Sequence, residues 1–334
     1  MYVYDSTALD SCQMDNLVKK LKPKKEWAQK LSGWLDGLMS EEQAARWTHC
    51  GDYLTMLANE DMTRRKIETA YFCDIRLCPG CAWRASLQSA ACVSAIAAKL
   101  TGQKKIMLFV TLTIPNVRAD QLRAACLKLN ADFAKLLRRR KYAVWADCIR
   151  KLEITYNAAR DDYHPHLHVI VFVSSTYFKG GGGYISHDTL LDDWRKATGN
   201  YSITQVDIRR CKDKDSGSNA ILEVAKYSAK AADYTHSEAV FRTMYATMYH
   251  LRTMTYSGVC KTLRADFDAG RLDDILPRDT TRYVWRLVYQ FYAGQGYVQT
   301  DTMEYIEPAP TGFGELVGGG WDWDSLAADM AEVT

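Results

Sequence analysis

The stretch "DDYHPHLHVIVFV", residues 161–173, sets three histidines at every second position ahead of a β-branched apolar run. Alternation passing into Val, Ile and Phe predicts a β-strand. Residues two apart on a strand share a face, so His166 and His168 hold two imidazoles side by side, with Leu167 buried behind them. The chain has only 7 histidines in 334 residues, and two so placed suit one metal ion. The plain alternative is a partly exposed strand whose histidines pair with polar neighbours. Outward from this strand, "IRKLEITY" (149–156) also alternates, and "NAARDDYHP" reads as a turn, so the two segments predict an antiparallel hairpin. "KIMLFVTLTIPN" (105–116) is a buried strand ended by Pro115, and "SITQVDIRR" is a further strand. Small-residue and amphipathic helices lie between them, one carrying Leu122, Cys126, Leu129, Phe133 and Leu137 on a single face. The fold class is α+β: an antiparallel or mixed central sheet flanked by helices.

Composition narrows the function by exclusion. Apolar residues make up 47%, enough for a substantial core. No apolar run approaches the roughly 20 residues of a membrane span, and the N-terminus lacks the layout of a secretory signal. Ten cysteines without an export signal argue for reduced thiols, metal ligands and core packing. With 43 basic against 40 acidic residues, the net charge is only +3. Any nucleic-acid contact must therefore come from local clusters, and Arg138, Arg139, Arg140, Lys141, Arg209 and Arg210 are the candidates. "KGGGG" (179–183) lacks the spacing of a phosphate-binding loop, which excludes that nucleotide site.

Five segments are expected: a helical segment 1–47, with Trp27, Leu31, Trp34 and Leu38 at helical spacing; a cysteine-rich segment 48–84; the sheet domain 85–236; a mostly helical region 237–307; and a Gly-rich acidic tail 308–334. In the second of these, Cys50, Cys73, Cys78 and Cys81 follow C-x22-C-x4-C-x2-C. The close pair around Pro79-Gly80 is a knuckle, and four thiolates satisfy tetrahedral Zn²⁺ with no open position, which makes the site structural. His49, beside Cys50, is a competing ligand. Cys92, Cys126 and Cys148 fall on apolar faces as core residues.

"NAILEVAKYSAKAADY" (219–234) predicts one continuous helix. Glu223, Tyr227, Lys230 and Tyr234 then follow i, i+4, i+7 and i+11 along one side, opposite Ile221, Ala225 and Ala232. A carboxylate, a phenol and an amine in one stripe form a reaction surface, although a solvated polar face has the same pattern.

The order "LFVTLTIPN", "HPHLHV", "EVAKYSAK", with "RLCPGCAWR" upstream, resembles the HUH (His-hydrophobic-His) endonucleases, specifically the initiators of rolling-circle plasmid replication. The resemblance runs from about Cys50 to about Asp266. It implies a nuclease domain with a central antiparallel sheet, metal binding by His166 and His168, and Tyr227 as the covalent nucleophile. Glu223 is implied to end the reaction. Ala231-Ala232 depart from the acidic and serine residues usual after the lysine. The partners implied are single-stranded or cruciform origin DNA and a host helicase and polymerase, in the cytoplasm of a plasmid-bearing bacterium.

The chemistry agrees with that resemblance. A phenol of pKa about 10 is a poor nucleophile at neutral pH, and a divalent ion polarising the scissile phosphate makes its attack feasible. Two imidazoles and one carboxylate suit Mn²⁺ or Mg²⁺ with positions left open. Glu153, on the neighbouring strand, is the expected third ligand, with Asp161, Asp162 and His164 as alternatives. Attack by Tyr227 forms a 5′-phosphotyrosine link and frees a 3′-OH. Lys230 steadies phosphate charge, and Glu223 activates water or a second 3′-OH. Two rivals stand beside this reading. One is a relaxase or transposase of the same chemistry, in which Tyr234 can act as a second tyrosine. The other is a zinc-stabilised DNA-binding protein without catalysis.

Overall fold

The structure, a computed structural model, describes residues 16–179, 183–212, 214–226, 228–272, 274–275 and 279–306. Tyr227, residues 1–15, the centre of the 179–183 loop and the tail from 308 lie outside the described residues. The contacts of the described residues gather into two units: the chain up to Ala82 with the segment from Thr280, and Trp83–Asp279.

The first unit opens with α1 (Asn16–Leu31) and α2 (Glu41–Thr48), followed by the antiparallel hairpin β1 (Tyr53–Ala58) and β2 (Arg65–Ala70). The side of α1 turned inward carries Val18, Leu21, Ala28 and Leu31. Trp27, expected on that stripe, is exposed instead, under the Lys30 ammonium. A reciprocal Ser40–Gln43 capping box starts α2 by satisfying two amides that have no partner within the helix.

The second unit continues along α3 (Pro79–Gly102) into β3 (Ile106–Thr113), α4 (Ala119–Leu137), β4 (Cys148–Asn157) and β5 (Asp162–Val173). Then come α5 (His187–Thr198), β6 (Val206–Arg210), α6 (Lys214–Ala225), α7 (Ala231–Tyr234), α8 (Glu238–Met248), β7 (Met254–Ser257) and α9 (Val259–Asp268). Its sheet has the order β6-β3-β5-β4-β7, antiparallel throughout. The expected β4–β5 hairpin forms, with Asp161 taking the positive φ that closes the turn. Strand alternation divides the sheet cleanly. Leu112, Leu152 and Leu167 turn to one face, with Leu122, Cys126 and Leu129 of α4 buried as the helix packs on β5. On the other face Phe109, Ile149, Ile170 and Phe172 form a core with Cys92 and Ile96 of α3, Val224 of α6 and Cys260 of α9. His166 and His168 continue this second face beyond the apolar core.

Two expectations are corrected here. The helix expected over 219–234 is not continuous: α6 ends at Ala225, and α7 restarts at Ala231 with extended backbone at Lys230. The cause is the free edge of β4. β7 pairs only with Cys148–Lys151. Beyond it the amide of Leu152 donates to the Thr253 carbonyl (2.6 Å) and that of Ile154 to the Ser228 carbonyl (2.8 Å). Buried amides need partners, and supplying one takes residue 228 out of the helix despite good local propensity.

The C-terminal region is not mostly helical either. After α9 the chain re-enters the first unit as β8 (Trp285–Tyr292) and β9 (Gly296–Glu304), giving a second antiparallel sheet of order β2-β1-β8-β9. The sheet domain also takes its strand β7 from beyond residue 236. Among the described residues no helix is long and apolar enough to cross a membrane.

Candidate functional site

Register builds the histidine site. Across the hairpin Glu153 pairs with His166 and Lys151 with His168, and on the other side of β5 Thr113 pairs with His166 and Thr111 with His168. Opposed residues share a face, so Glu153, His166 and His168 converge. The two Nε2 atoms lie 3.2 Å apart, and Glu153 Oε2 is 3.2 Å from His168 Nε2 and 3.7 Å from His166 Nε2. Adjacent ligands of an octahedral ion with bonds of about 2.1 Å stand about 3.0 Å apart, close to these separations.

The remaining ring nitrogens orient the imidazoles. His166 Nδ1 donates to the His164 carbonyl (3.1 Å), and His168 Nδ1 lies 3.3 Å from Thr111 Oγ1. Once an ion is held, protonation at Nδ1 alone would leave each Nε2 a lone pair toward the shared point. Burial alone would raise the Glu153 carboxyl. Hydrogen bonds and charge from His166 and His168 outweigh it and hold the group well below the usual carboxylate range. The alternative ligands are engaged elsewhere. Asp161 accepts from the Tyr156 hydroxyl (2.8 Å), Asp162 from Asn116 (2.7 Å) and Arg160 (2.9 Å), and the His164 ring stacks on His166.

The other expected residues divide. Glu223, in the last turn of α6, is ion-paired with Lys226. Lys230 is the N-cap of α7 rather than a member of the Glu223 helix. Tyr234 is buried, its ring 6.2 Å from Phe241. Tyr227 lies outside the described residues, while its neighbour Ser228 is bonded to the strand that carries Glu153. Arg209 shares the histidine face: its guanidinium sits 5.0 Å over Phe109, which stacks on His168 at 5.4 Å. Arg210 turns to the opposite face over Phe178.

The 138–141 run does not join the site. It follows α4 beside the far end of β5, where Phe172 bonds Asp147, six residues or about 20 Å from His166 along the strand. Arg139 and Lys141 there bind the buried Asp193 carboxylate, which also accepts from the Tyr142 hydroxyl. Arg138 and Arg140 remain exposed. Sequence reasoning passed over Thr111, Phe109 and Lys151. The period-two patterns "FVTLT" and "KLE" place all three on the histidine face.

In the first unit, Cys50, Cys73, Cys78 and Cys81 are buried together. The sulfur separations are 3.5 Å (Cys50–Cys81), 3.6 Å (Cys73–Cys81) and 3.5 Å (Cys50–Cys78). Zinc–sulfur bonds of about 2.3 Å give tetrahedron edges of about 3.8 Å. The amides of Cys73 and Asp74 point at Cys50 and Cys81 sulfurs. His49 is exposed and paired with Asp52 (2.8 Å), away from the cluster.

Comparison with known proteins agrees with the motif order. The family model described as "Replication protein" matches residues 64–289. "Protein rep" of Staphylococcus aureus is 37% identical over 219 residues, covering 65% of this chain and 95% of that protein. "Protein rep" of Streptococcus pneumoniae serotype 2 is 35% identical over 231 residues, covering 67% and 72%. A third, from Bacillus sp, is 30% identical over 257 residues, covering 70% and 83%. No solved structure matches the chain significantly. The chain belongs to this replication protein family, the initiators of rolling-circle plasmid replication. A replication initiator has DNA as its working partner.

Proposed function

We propose that the protein nicks single-stranded origin DNA in a metal-dependent transesterification, with Tyr227 as nucleophile. The observation that carries this reading is the convergence of Glu153, His166 and His168 on one sheet face of a replication initiator. The donor set fits a divalent ion such as Mn²⁺ or Mg²⁺: two oriented imidazoles and one carboxylate kept ionised, a set of three that leaves further coordination positions to phosphate oxygens. When bound, the ion supplies Lewis-acid polarisation of the scissile phosphate. The chain's own groups do the rest. The Tyr227 phenol attacks phosphorus and loses its proton, a P–O tyrosyl bond forms, and the P–O3′ bond breaks. The departing 3′ oxygen takes up a proton, leaving a 3′-OH for a host polymerase and a 5′-phosphotyrosine link. Glu223, ion-paired with Lys226, activates water or an incoming 3′-OH to resolve the link. Lys230, beyond the helix break, steadies phosphate charge. The four cysteines hold a structural Zn²⁺. Arg138, Arg140, Arg209 and Arg210 contact DNA, and the protein works in the cytoplasm with a host helicase.

The test is cleavage of single-stranded DNA tiled across the replicon that encodes the chain. Nicking is expected with Mn²⁺, lost with chelator, and lost in His166→Ala and His168→Ala while the fold persists. Nicking that survives both substitutions would contradict the reading.

A further inference from the structure

The last two residues of β6, Arg209 and Arg210, straddle an edge of the sheet. β6 is the outermost strand, paired with β3 alone, and alternation sends neighbouring side chains to opposite faces. On the histidine face Arg209 lies over Phe109, the ring that stacks on His168. Round the edge, Arg210 lies 5.4 Å over the ring of Phe178. Phe178 belongs to an aromatic cluster that follows β5. Its ring centroid is 5.0 Å from that of Tyr177 and 5.7 Å from that of Tyr184, and the two tyrosines are 5.6 Å apart. Tyr177 is the buried member, and its hydroxyl accepts from the Ile185 amide (3.0 Å), which ties the chain beside Tyr184 to the base of the cluster. Phe178 and Tyr184 stand outward, 43% and 57% exposed.

Adjacent aromatic rings left in water beside charge mark a binding surface, and the cation on the Phe178 ring points to its occupant. Arginine over an aromatic ring combines a site for phosphate with π-faces for bases, the pairing that proteins use to hold single strands. A duplex hides its base faces in its own stack, so only an unpaired strand can use the rings. The distance also fits. Arg210 pairs with Leu108 and His166 with Thr113 on the same strand β3, five residues or about 17 Å apart. A strand held at the histidines therefore reaches the rings within a few nucleotides.

We propose that Phe178 and Tyr184 form a base-stacking site for single-stranded DNA. The strand passes from the histidine face round the β6 edge, with Arg209 and Arg210 on its phosphates. This site rests on the DNA contacts proposed above for the two arginines, and the experiment separates the two.

Binding of full-length protein to single-stranded oligonucleotides tiled across the replicon that encodes the chain is measured by fluorescence anisotropy, without divalent ion so that the strand stays uncut. The proteins are wild type, Phe178→Ala, Tyr184→Ala and Phe178→Trp, each also followed by thermal unfolding. A wild type that binds no single strand sinks the DNA contacts of the two arginines themselves. With a wild type that binds, each alanine variant is expected to hold the tightest strand about tenfold more weakly, the lower part of what one base–aromatic stack supplies. Phe178→Trp keeps a stacking face and is expected to stay within about threefold of wild type. An abasic nucleotide scanned along that strand should cost wild type about tenfold at the position stacked on Phe178, and Phe178→Ala less than about twofold there. Alanine variants that bind within about twofold of wild type would overturn the proposal and leave the rings to a protein partner. So would an abasic scan with no sensitive position. A loss of affinity matched by a fall in melting temperature that tryptophan does not relieve would overturn it too, since that marks rings with a structural role.

Discussion

Thr111→Val separates the metal ligands from what orients them. Thr111 Oγ1 lies 3.3 Å from His168 Nδ1, the only contact described for that nitrogen among the described residues. Valine keeps the branched shape and the strand preference of threonine but cannot accept a hydrogen bond. The His168 side chain is 12% exposed, so water replaces the lost acceptor poorly. Outer-shell partners of ligating histidines are worth about 10–100-fold in metal affinity. At 3.3 Å this bond is at the long end of its range, which puts the loss near the lower bound, about tenfold or ~1.4 kcal/mol. The effect falls on one imidazole, because the acceptor for His166 is a backbone carbonyl that side-chain substitution leaves in place. Mn²⁺ titration by calorimetry should show Thr111→Val binding about tenfold more weakly and Thr111→Ser within about twofold of wild type. Unfolding free energy should change by less than about 1 kcal/mol. Unaltered Mn²⁺ affinity in Thr111→Val would refute the orienting role.

The basic run should separate into two kinds of residue. Asp193→Ala, which strips Arg139, Lys141 and the buried Tyr142 hydroxyl of their acceptor, should cost about 2–3 kcal/mol in chemical denaturation. Arg138→Ala and Arg140→Ala should leave stability within about 0.5 kcal/mol and lower the salt slope of DNA binding by about one each. Burial raises the Asp233 carboxyl above the ordinary aspartate range, and its Oδ2 has no hydrogen-bond partner among the described residues. Between the ordinary aspartate pKa near 4 and this raised value the folded state binds more protons than the unfolded state, so stability falls as pH rises through that window. Asp233→Asn should accordingly raise the melting temperature at pH 7 and not below pH 4, and an equal shift at both would exclude titration as the cause. Metal analysis should find about one zinc per chain, and Cys81→Ser or a strong chelator should melt the first unit before the second as followed by hydrogen exchange.

What could be read in the sequence was local. The hairpin was legible because alternation through Glu153, His166 and His168 leaves one possible face for each side chain, and the Cys78–Cys81 knuckle was legible from spacing alone. The break after Ala225 was not, because what draws the chain out of the helix is the amide of Ile154, over 70 residues earlier, which takes the Ser228 carbonyl as its partner. Asp193 likewise claims Arg139 and Lys141 from more than 50 residues away, and no charge count could reveal that. The strands β8 and β9 were legible and misread. Leu287, Tyr289 and Phe291 alternate with Arg286, Val288 and Gln290, and Gly294 and Gly296 at positive φ lie at the turn between the strands. A helical reading of so many aromatics ignored the period of two. Lys151 was missed for a different reason: a lysine two residues before a glutamate reads as solvated surface until burial is known.

The most direct test of a tyrosine-linked nick is the covalent adduct itself. Full-length protein is incubated with Mn²⁺ and single-stranded DNA spanning its own origin, digested with nuclease and protease, and mapped by mass spectrometry. A nucleotide on Tyr227, absent in Tyr227→Phe although that variant still binds the strand, is the expected result. A nucleotide on Tyr234 or another residue, or a cut strand with no adduct at all, would contradict it.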